Sequence, residues 1–120
     1  MNKEKNIQKL EVLKKYQTYL IWLLEKINSF PKKQKYLLGE RIGNQAFDIL
    51  ESLLKMQYSP SAKKKENLSE FNLKLENLRQ LMRIAWKMKF ISNRNFLWQE
   101  TKIDEVGRMA HGLAHFSKNQ

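Results

Sequence analysis

The chain has 120 residues, with 23 basic and 12 acidic side chains and no cysteine, so its formal net charge is +11. This length suits one domain, over residues 1–120, with a buried core. The 42% of hydrophobic residues and the scarcity of Gly and Pro argue against disorder. The lack of cysteine excludes disulfides and thiolate metal sites and fits a reducing cytoplasm. The longest apolar stretch, Tyr19 to Leu24, is too short to span a membrane.

The excess of positive charge is the first indication of a partner. A net charge of this size attracts polyanions and accelerates encounters with them, which indicates nucleic acid or an acidic protein. The alternative is a basic surface that only keeps the protein in solution. Charge alone leaves both interpretations open.

Proline and N-capping residues divide the chain into helical segments. Pro31 and Pro60 follow the ends of two apolar-periodic stretches, and Ser92 is a good N-cap for a last one. Few Gly and Pro and many Leu, Lys and Glu favour helix throughout. The sequence therefore predicts four helices over about 5–28, 32–57, 63–89 and 93–116.

Each segment has an apolar stripe at helical spacing. The predicted stripes are Leu10, Leu13, Gln17, Leu20, Leu24 and Ile27; Leu38, Ile42, Ala46, Ile49, Leu53 and Met56; Leu68, Phe71, Leu75, Leu78, Met82 and Ala85; and Phe96, Ile103, Val106, Ala110 and Leu113. Short connections force long neighbouring helices to run antiparallel. The predicted fold is all-α, an antiparallel up-down-up-down four-helix bundle.

More apolar surface is present than one bundle needs. The third segment carries a second row, Leu73, Leu81, Ile84 and Met88, and the first two segments have similar surplus residues. Such surplus indicates self-association, although scattered exposed leucines are common. Gly39 and Gly43, one turn apart, would allow close approach of another backbone or would simply be tolerated.

A basic row indicates where a polyanion would bind. Arg79, Arg83 and Lys87 follow one another at one-turn spacing on the third segment, and Lys89 ends it. A second basic patch consists of Lys32, Lys33, Lys35 and Arg41. Lysines at the start of a helix are poorly placed relative to the helix dipole, which also points to a use for them. The alternative for both patches is a solvated charged face.

Residues for catalysis or cofactor binding are not evident. His111 and His115 have a spacing that can chelate a metal on a helix, but no third ligand stands out, and we expect them at a helix C-terminus instead. No phosphate-binding loop or catalytic motif is present. Trp22, Trp86 and Trp98 could stack on bases but are expected to pack in the core. We therefore predict a non-enzymatic protein without a cofactor.

Several phrases resemble the accessory variability determinant (Avd) family when taken in order. They are FPKK at 30–33, YLLGERIGNQAFDILE at 36–51, NLKLENLR at 72–79, FIS at 90–92 and IDEVGRM at 103–109, followed by Gly112. The resemblance implies a four-helix bundle that assembles as a basic homopentameric barrel. It also places Arg79 and Arg83 on the family's basic helix and Arg41 on the preceding one, whereas Gly43 stands where many relatives have a basic residue.

The resemblance also implies a function. Avd proteins are non-catalytic accessories of the reverse transcriptase of a diversity-generating retroelement. The implied partners are that reverse transcriptase, template RNA or cDNA, and further copies of the chain, with no membrane. Proteins encoded in intervening sequences of 23S ribosomal RNA genes are similar in the same phrases, so the alternative is an RNA-binding bundle without a reverse transcriptase.

Overall fold

A computed structural model of the chain describes the backbone of residues 2–118 and the side chains of residues 3–114. Within these limits the fold is a helical bundle without a β-strand. The first helix, α1, spans Asn2–Asn28; the short α2, Lys32–Gln34, continues through a π-helical turn, Lys35–Gly39, into α3, Glu40–Tyr58. The last two are α4, Ser61–Lys87, and α5, Asn93–Lys118. The four rods of the bundle are therefore α1, the continuous α2–α3 segment, α4 and α5.

Local sequence sets the ends of these helices. Pro31 and Pro60 stand at the N-caps of α2 and α4, where a residue without an N–H is tolerated. The backbone N–H of Asn95 donates to Ser92 Oγ at 3.1 Å, which confirms Ser92 as the N-cap of α5. Helix α4 begins at Ser61 and ends at Lys87, two residues earlier at each end than its sequence suggested.

The end of α4 is a Schellman motif. Lys89 has a φ of 66°, its N–H donates to the Trp86 carbonyl, and the N–H of Phe90 donates to the Ala85 carbonyl. The Cβ of a lysine makes this left-handed conformation sterically unfavourable, whereas glycine, without a Cβ, adopts it readily. The motif turns the chain sharply towards α5.

The core confirms the predicted stripes of the second, third and fourth segments. Ile42, Ile49 and Leu53 of α3 are fully buried, as are Leu75 and Leu78 of α4. The stripe of α5 is buried as well, and it also includes Gln99, whose side-chain oxygen accepts a hydrogen bond from the Tyr19 hydroxyl. A polar residue is tolerated there because it has hydrogen-bonding partners.

The predicted stripe of α1 is wrong at two positions, because Leu10 and Gln17 are exposed. The buried face of α1 consists of Val12, Tyr16, Tyr19, Leu20 and Leu23, of which Leu20 belongs to the predicted stripe. The predicted Leu13, Leu24 and Ile27 are half-buried against the same core. Helix α1 carries two apolar rows, and both have helical spacing. The large tyrosine rings occupy the core because each hydroxyl finds a buried acceptor, the Ala46 carbonyl and Gln99. Burial raises the pKa of both tyrosines.

Polar contacts between helices fix which residues lie opposite one another. From α1, Tyr16 contacts Ala46, and Gln57 of α3 donates to the carbonyl of Lys9 at 3.0 Å. Lys15 pairs with Glu105 at 3.5 Å, and Trp22 packs against Trp98 with ring centroids 4.7 Å apart. These contacts place α1 between α3 and α5. None of the described helices is long and apolar enough to cross a membrane.

Candidate nucleic-acid interface

The two connections α1–α2 and α4–α5 meet at one end of the bundle. The rings of Phe30 and Phe90, one from each connection, pack with centroids 5.5 Å apart. Gly39, on the π-helical turn, lies against Ile27 of α1: a Cβ added at Gly39 would be 2.8 Å from Ile27 Cγ2. A glycine is therefore needed for this approach, and it brings the start of the α2–α3 segment close to the end of α1.

Aromatic packing fastens the start of α5 to the end of α4 at the same place. Trp86 and Phe96 are stacked, with centroids 4.6 Å apart and an interplanar angle of 9°. The indole N–H of Trp86 donates to Asn93 Oδ1 at 2.6 Å. The position of the side chains around both connections is thus fixed by packing.

Cations gather at this end. The stretches 25–41 and 83–94 contain nine basic residues and two acidic residues, Glu25 and Glu40, a net +7 out of the +11 of the whole chain. We call this surface the basic end, and its cations are Lys26, Lys32, Lys33, Lys35, Arg41, Arg83, Lys87, Lys89 and Arg94. The folded chain therefore concentrates its charge far more than its composition indicates.

The cations of the basic end differ from the other basic residues in their ion pairing. None of the nine forms an ion pair within the part of the chain whose side chains are described. Six basic residues elsewhere do, for example Lys55 with Glu70 at 3.1 Å. Like charges without counter-charges repel one another, so this surface is favourable for an anion.

The basic row predicted on α4 is not uniform. Arg83 and Lys87 are exposed and form no ion pair with a described side chain, but Arg79 lies 3.4 Å from Glu76 and 3.0 Å from Asp104 of α5. Its side chain is only 24% exposed. Spacing within the third segment could not reveal the contact of Arg79 with Asp104 of α5. Arg79 is therefore a partly neutralised cation between two helices, whereas Arg83 and Lys87 belong to the basic end.

The second predicted patch lies mostly on the surface: Lys32, Lys33 and Arg41 are exposed and Lys35 is half-buried. Lys89, which ends the first basic row, is also exposed, in the Schellman motif. Sequence reasoning missed Lys26 and Arg94. Their positions beside the two connections could have suggested them, because residues next to adjoining connections share one end of a bundle.

One lysine has an opposite, structural role. Lys64 is buried, and its Nζ donates to the carbonyls of Met56 and Gln57 at 2.9 and 3.1 Å, at the end of α3. These carbonyls have no partner within their helix, so the ammonium group acts as a C-cap. Burial and the charges of Lys9 and Lys5 lower the pKa of Lys64. This cation is not available to a ligand.

The tryptophan candidates are packed in the bundle, and the histidine candidates lie on α5. Trp22, Trp86 and Trp98 are half-buried and packed against other rings, as expected for core residues. His111 is exposed on α5, and the side chain of His115 lies outside the described residues. Where side chains are described, no three His, Asp or Glu side chains come together as a metal site would need.

These features define a small, basic four-helix protein with one strongly cationic end. The model of the bAvd-like family matches residues 10–117, so the chain belongs to this family, which confirms the resemblance to Avd proteins. The family is one of accessory proteins, not of catalysts, and it points to a diversity-generating retroelement. No curated protein and no solved structure matches the chain.

Proposed function

We propose that this protein is a cytoplasmic, non-catalytic accessory of a diversity-generating retroelement that binds the reverse transcriptase together with template RNA or cDNA. Family membership supports the retroelement context. The basic end supports the nucleic-acid partner, and it is the observation on which the proposal depends: nine basic residues stand against two acidic residues, and none of the nine forms an ion pair with a described side chain. Phosphates would replace the missing counter-charges and release condensed cations.

We further propose that the four rods run antiparallel in up-down-up-down order. Contacts across the bundle support this order, because residue numbers rise on one helix as they fall on the next. Lys9 meets Gln57 while Tyr16 meets Ala46 on the α1–α3 side, and Lys15 meets Glu105 while Tyr19 meets Gln99 on the α1–α5 side. In this order the α1–α2 and α4–α5 connections lie at the same end of the bundle, which is the basic end.

Self-association into a homopentamer is the third part of the proposal. Its support is two rows of apolar side chains, one on α4 and one on α3, whose members are exposed except for the half-buried Leu81 and Leu50. The α4 strip consists of Leu73, Leu81, Ile84 and Met88, of which Leu73 is 73% exposed. The α3 strip consists of Phe47, Leu50, Leu54 and Tyr58, of which Tyr58 is 77% exposed.

Because the α3 strip and the α4 strip are different apolar surfaces, they favour head-to-tail contacts between copies. Such contacts close into a ring when the rotation between copies allows it. A single self-complementary surface would favour a two-fold dimer instead. The number five comes from the family resemblance. A ring would bring one basic end per copy into a multivalent surface, which raises avidity for a long polyanion without new contacts.

Charging the α4 strip should prevent assembly. The double substitution Leu73→Glu and Ile84→Glu puts two carboxylates where an interface would bury aliphatic side chains, each worth about 1.5–3 kcal/mol when buried. We expect the unsubstituted protein to have five times the 14.4 kDa of one chain and the variant to be monomeric. Light scattering measures the molar mass, and far-ultraviolet circular dichroism checks that the helices remain.

A matched control adds the same charge on α5. Leu97 is 66% exposed but stands alone, with polar residues one turn away on either side. Leu97→Glu with Thr101→Glu should leave the molar mass unchanged. An unsubstituted protein that is monomeric at high concentration, or a double variant of the α4 strip that still assembles, would contradict the proposed assembly.

The reverse transcriptase is tested by co-expression. We expect the reverse transcriptase encoded beside this gene, in an element with a template and a variable repeat, to co-purify with the tagged protein and to bring RNA with it. Nuclease treatment separates a direct protein contact from a bridge of RNA. Without such an enzyme in the gene neighbourhood, or without a complex, RNA binding alone would favour the alternative related to 23S ribosomal RNA intervening sequences.

A further inference from the structure

The basic end presents an aromatic ring among its lysines. Tyr36 lies on the π-helical turn and is 72% exposed, next to Leu37, which is 69% exposed. Lys35 precedes it directly, and Lys32 and Lys33 lie about one helical turn before it, so their side chains share its side of the segment.

Most of the other described aromatic rings are occupied. Eight rings pack in pairs or short chains, Phe71 is buried, and the ring of Tyr58 has Lys9 Nζ 5.6 Å from its centroid. Phe47 is less exposed, at 47%, and its sequence neighbours include Asp48 and Glu51. Tyr36 thus differs from Phe47 in standing among cations without acidic neighbours other than Glu40.

The backbone conformation at this position is uncommon. A π-helical turn closes its hydrogen bond over one residue more than an α-helix and is frequently found at functional sites. Here it spans Lys35–Gly39, and Gly39 fixes it against α1. The ring of Tyr36 is therefore held on a supported segment and is not carried by a free loop.

We propose that the basic end binds unpaired, single-stranded nucleic acid, with Tyr36 as the platform on which a base stacks. This inference rests on the proposed nucleic-acid binding and specifies its ligand. Lysines attract any phosphate backbone, single- or double-stranded. An unpaired base is free to stack on a protein ring, whereas a base in a duplex must first be unpaired, and such stacking is insensitive to sequence. Lys32, Lys33 and Lys35 would hold the phosphates on either side of that base.

The test compares a short unstructured RNA with the same RNA paired to its complement. Tyr36→Ala should weaken binding of the single strand about tenfold and of the duplex less than about twofold, because only the single strand loses stacking. The dependence of affinity on salt should keep its slope, since no charge is removed. Tyr36→Phe and Tyr36→Trp should retain single-strand affinity. Fluorescence anisotropy over a salt series measures all of these quantities.

Ile7→Ala is the control for the loss of an exposed apolar side chain. Ile7 is 58% exposed and lies near the start of α1, outside the basic end and outside both apolar strips, so its loss should change neither affinity. Equal losses for single strand and duplex, or no loss with Tyr36→Ala, would overturn the inference. So would a Tyr36→Ala protein that binds RNA normally but loses its protein partner. The proposed function fails separately, if the unsubstituted protein binds neither RNA.

Discussion

Removing charge from the basic end should weaken RNA binding by about 10²- to 10³-fold at about 0.1 M salt. The variant replaces Lys32, Lys33, Lys35 and Lys89 by Gln. Each lysine that contacts a phosphate of a single strand contributes about 0.7 to the slope of log affinity against log salt, so four contacts contribute about three. Salt-titrated binding to unstructured RNA measures both the affinity and the slope.

The control variant has the same net charge as the variant of the basic end. Lys3, Lys14, Lys63 and Lys65 are exposed lysines outside the basic end, and replacing them by Gln lowers the charge equally. A general attraction by net charge would weaken binding alike in both variants. We expect the control to lose much less affinity and to keep most of the slope. Equal effects would show that the position of the cations does not matter and would remove the basic end as the interface.

Gly39→Ala should destabilise the fold by about 1–3 kcal/mol, because the new methyl group overpacks the junction of α1 and the π-helical turn. Its Cβ would lie 2.8 Å from Ile27 Cγ2 and 3.3 Å from the Gln34 carbonyl oxygen. The higher helix propensity of alanine, worth about 1 kcal/mol, offsets only part of this cost. Urea denaturation at one fixed protein concentration measures the free energy of unfolding, since any self-association would shift it.

Gly43 provides the matched control four residues further on. Both glycines are buried, but a Cβ at Gly43 would meet Ile27 Cδ1 at 3.8 Å and Leu24 at 4.0 Å, which are ordinary contacts. Gly43→Ala should therefore stabilise the helix by up to about 1 kcal/mol. Ile27→Leu removes the Cγ2 methyl and should recover part of the stability that Gly39→Ala loses. A Gly39→Ala protein as stable as Gly43→Ala would contradict the close approach.

The glycine pair illustrates what spacing cannot reveal. In the sequence Gly39 and Gly43 are equivalent, two helix-weakening residues one turn apart. The structure separates them, because α1 touches the first at less than van der Waals distance and the second at ordinary distance. Such a difference depends on how two helices approach each other, and periodicity within one helix contains no such information.

The basic residues show the same limit in electrostatics. Arg79, Arg83 and Lys87 are one row by spacing, but Asp104 of α5 reaches only the first of them. Conversely, Lys26 and Arg94 are distant in sequence and lie beside the two connections that Phe30 and Phe90 hold together. Local sequence gives the charge of each segment, whereas the contact between the connections decides which charges share a surface.

By itself, the sequence determined the helices, the core stripes of three of the four rods, the N-cap at Ser92 and the large positive charge. It could do so because helical periodicity, capping and composition are local properties. Only the tertiary structure decided which of two apolar rows of α1 is buried, which glycine is required, and that seven of the eleven net charges lie at one end. These outcomes follow from packing between helices, where the tyrosines of α1 find acceptors on α3 and α5 and the two connections meet.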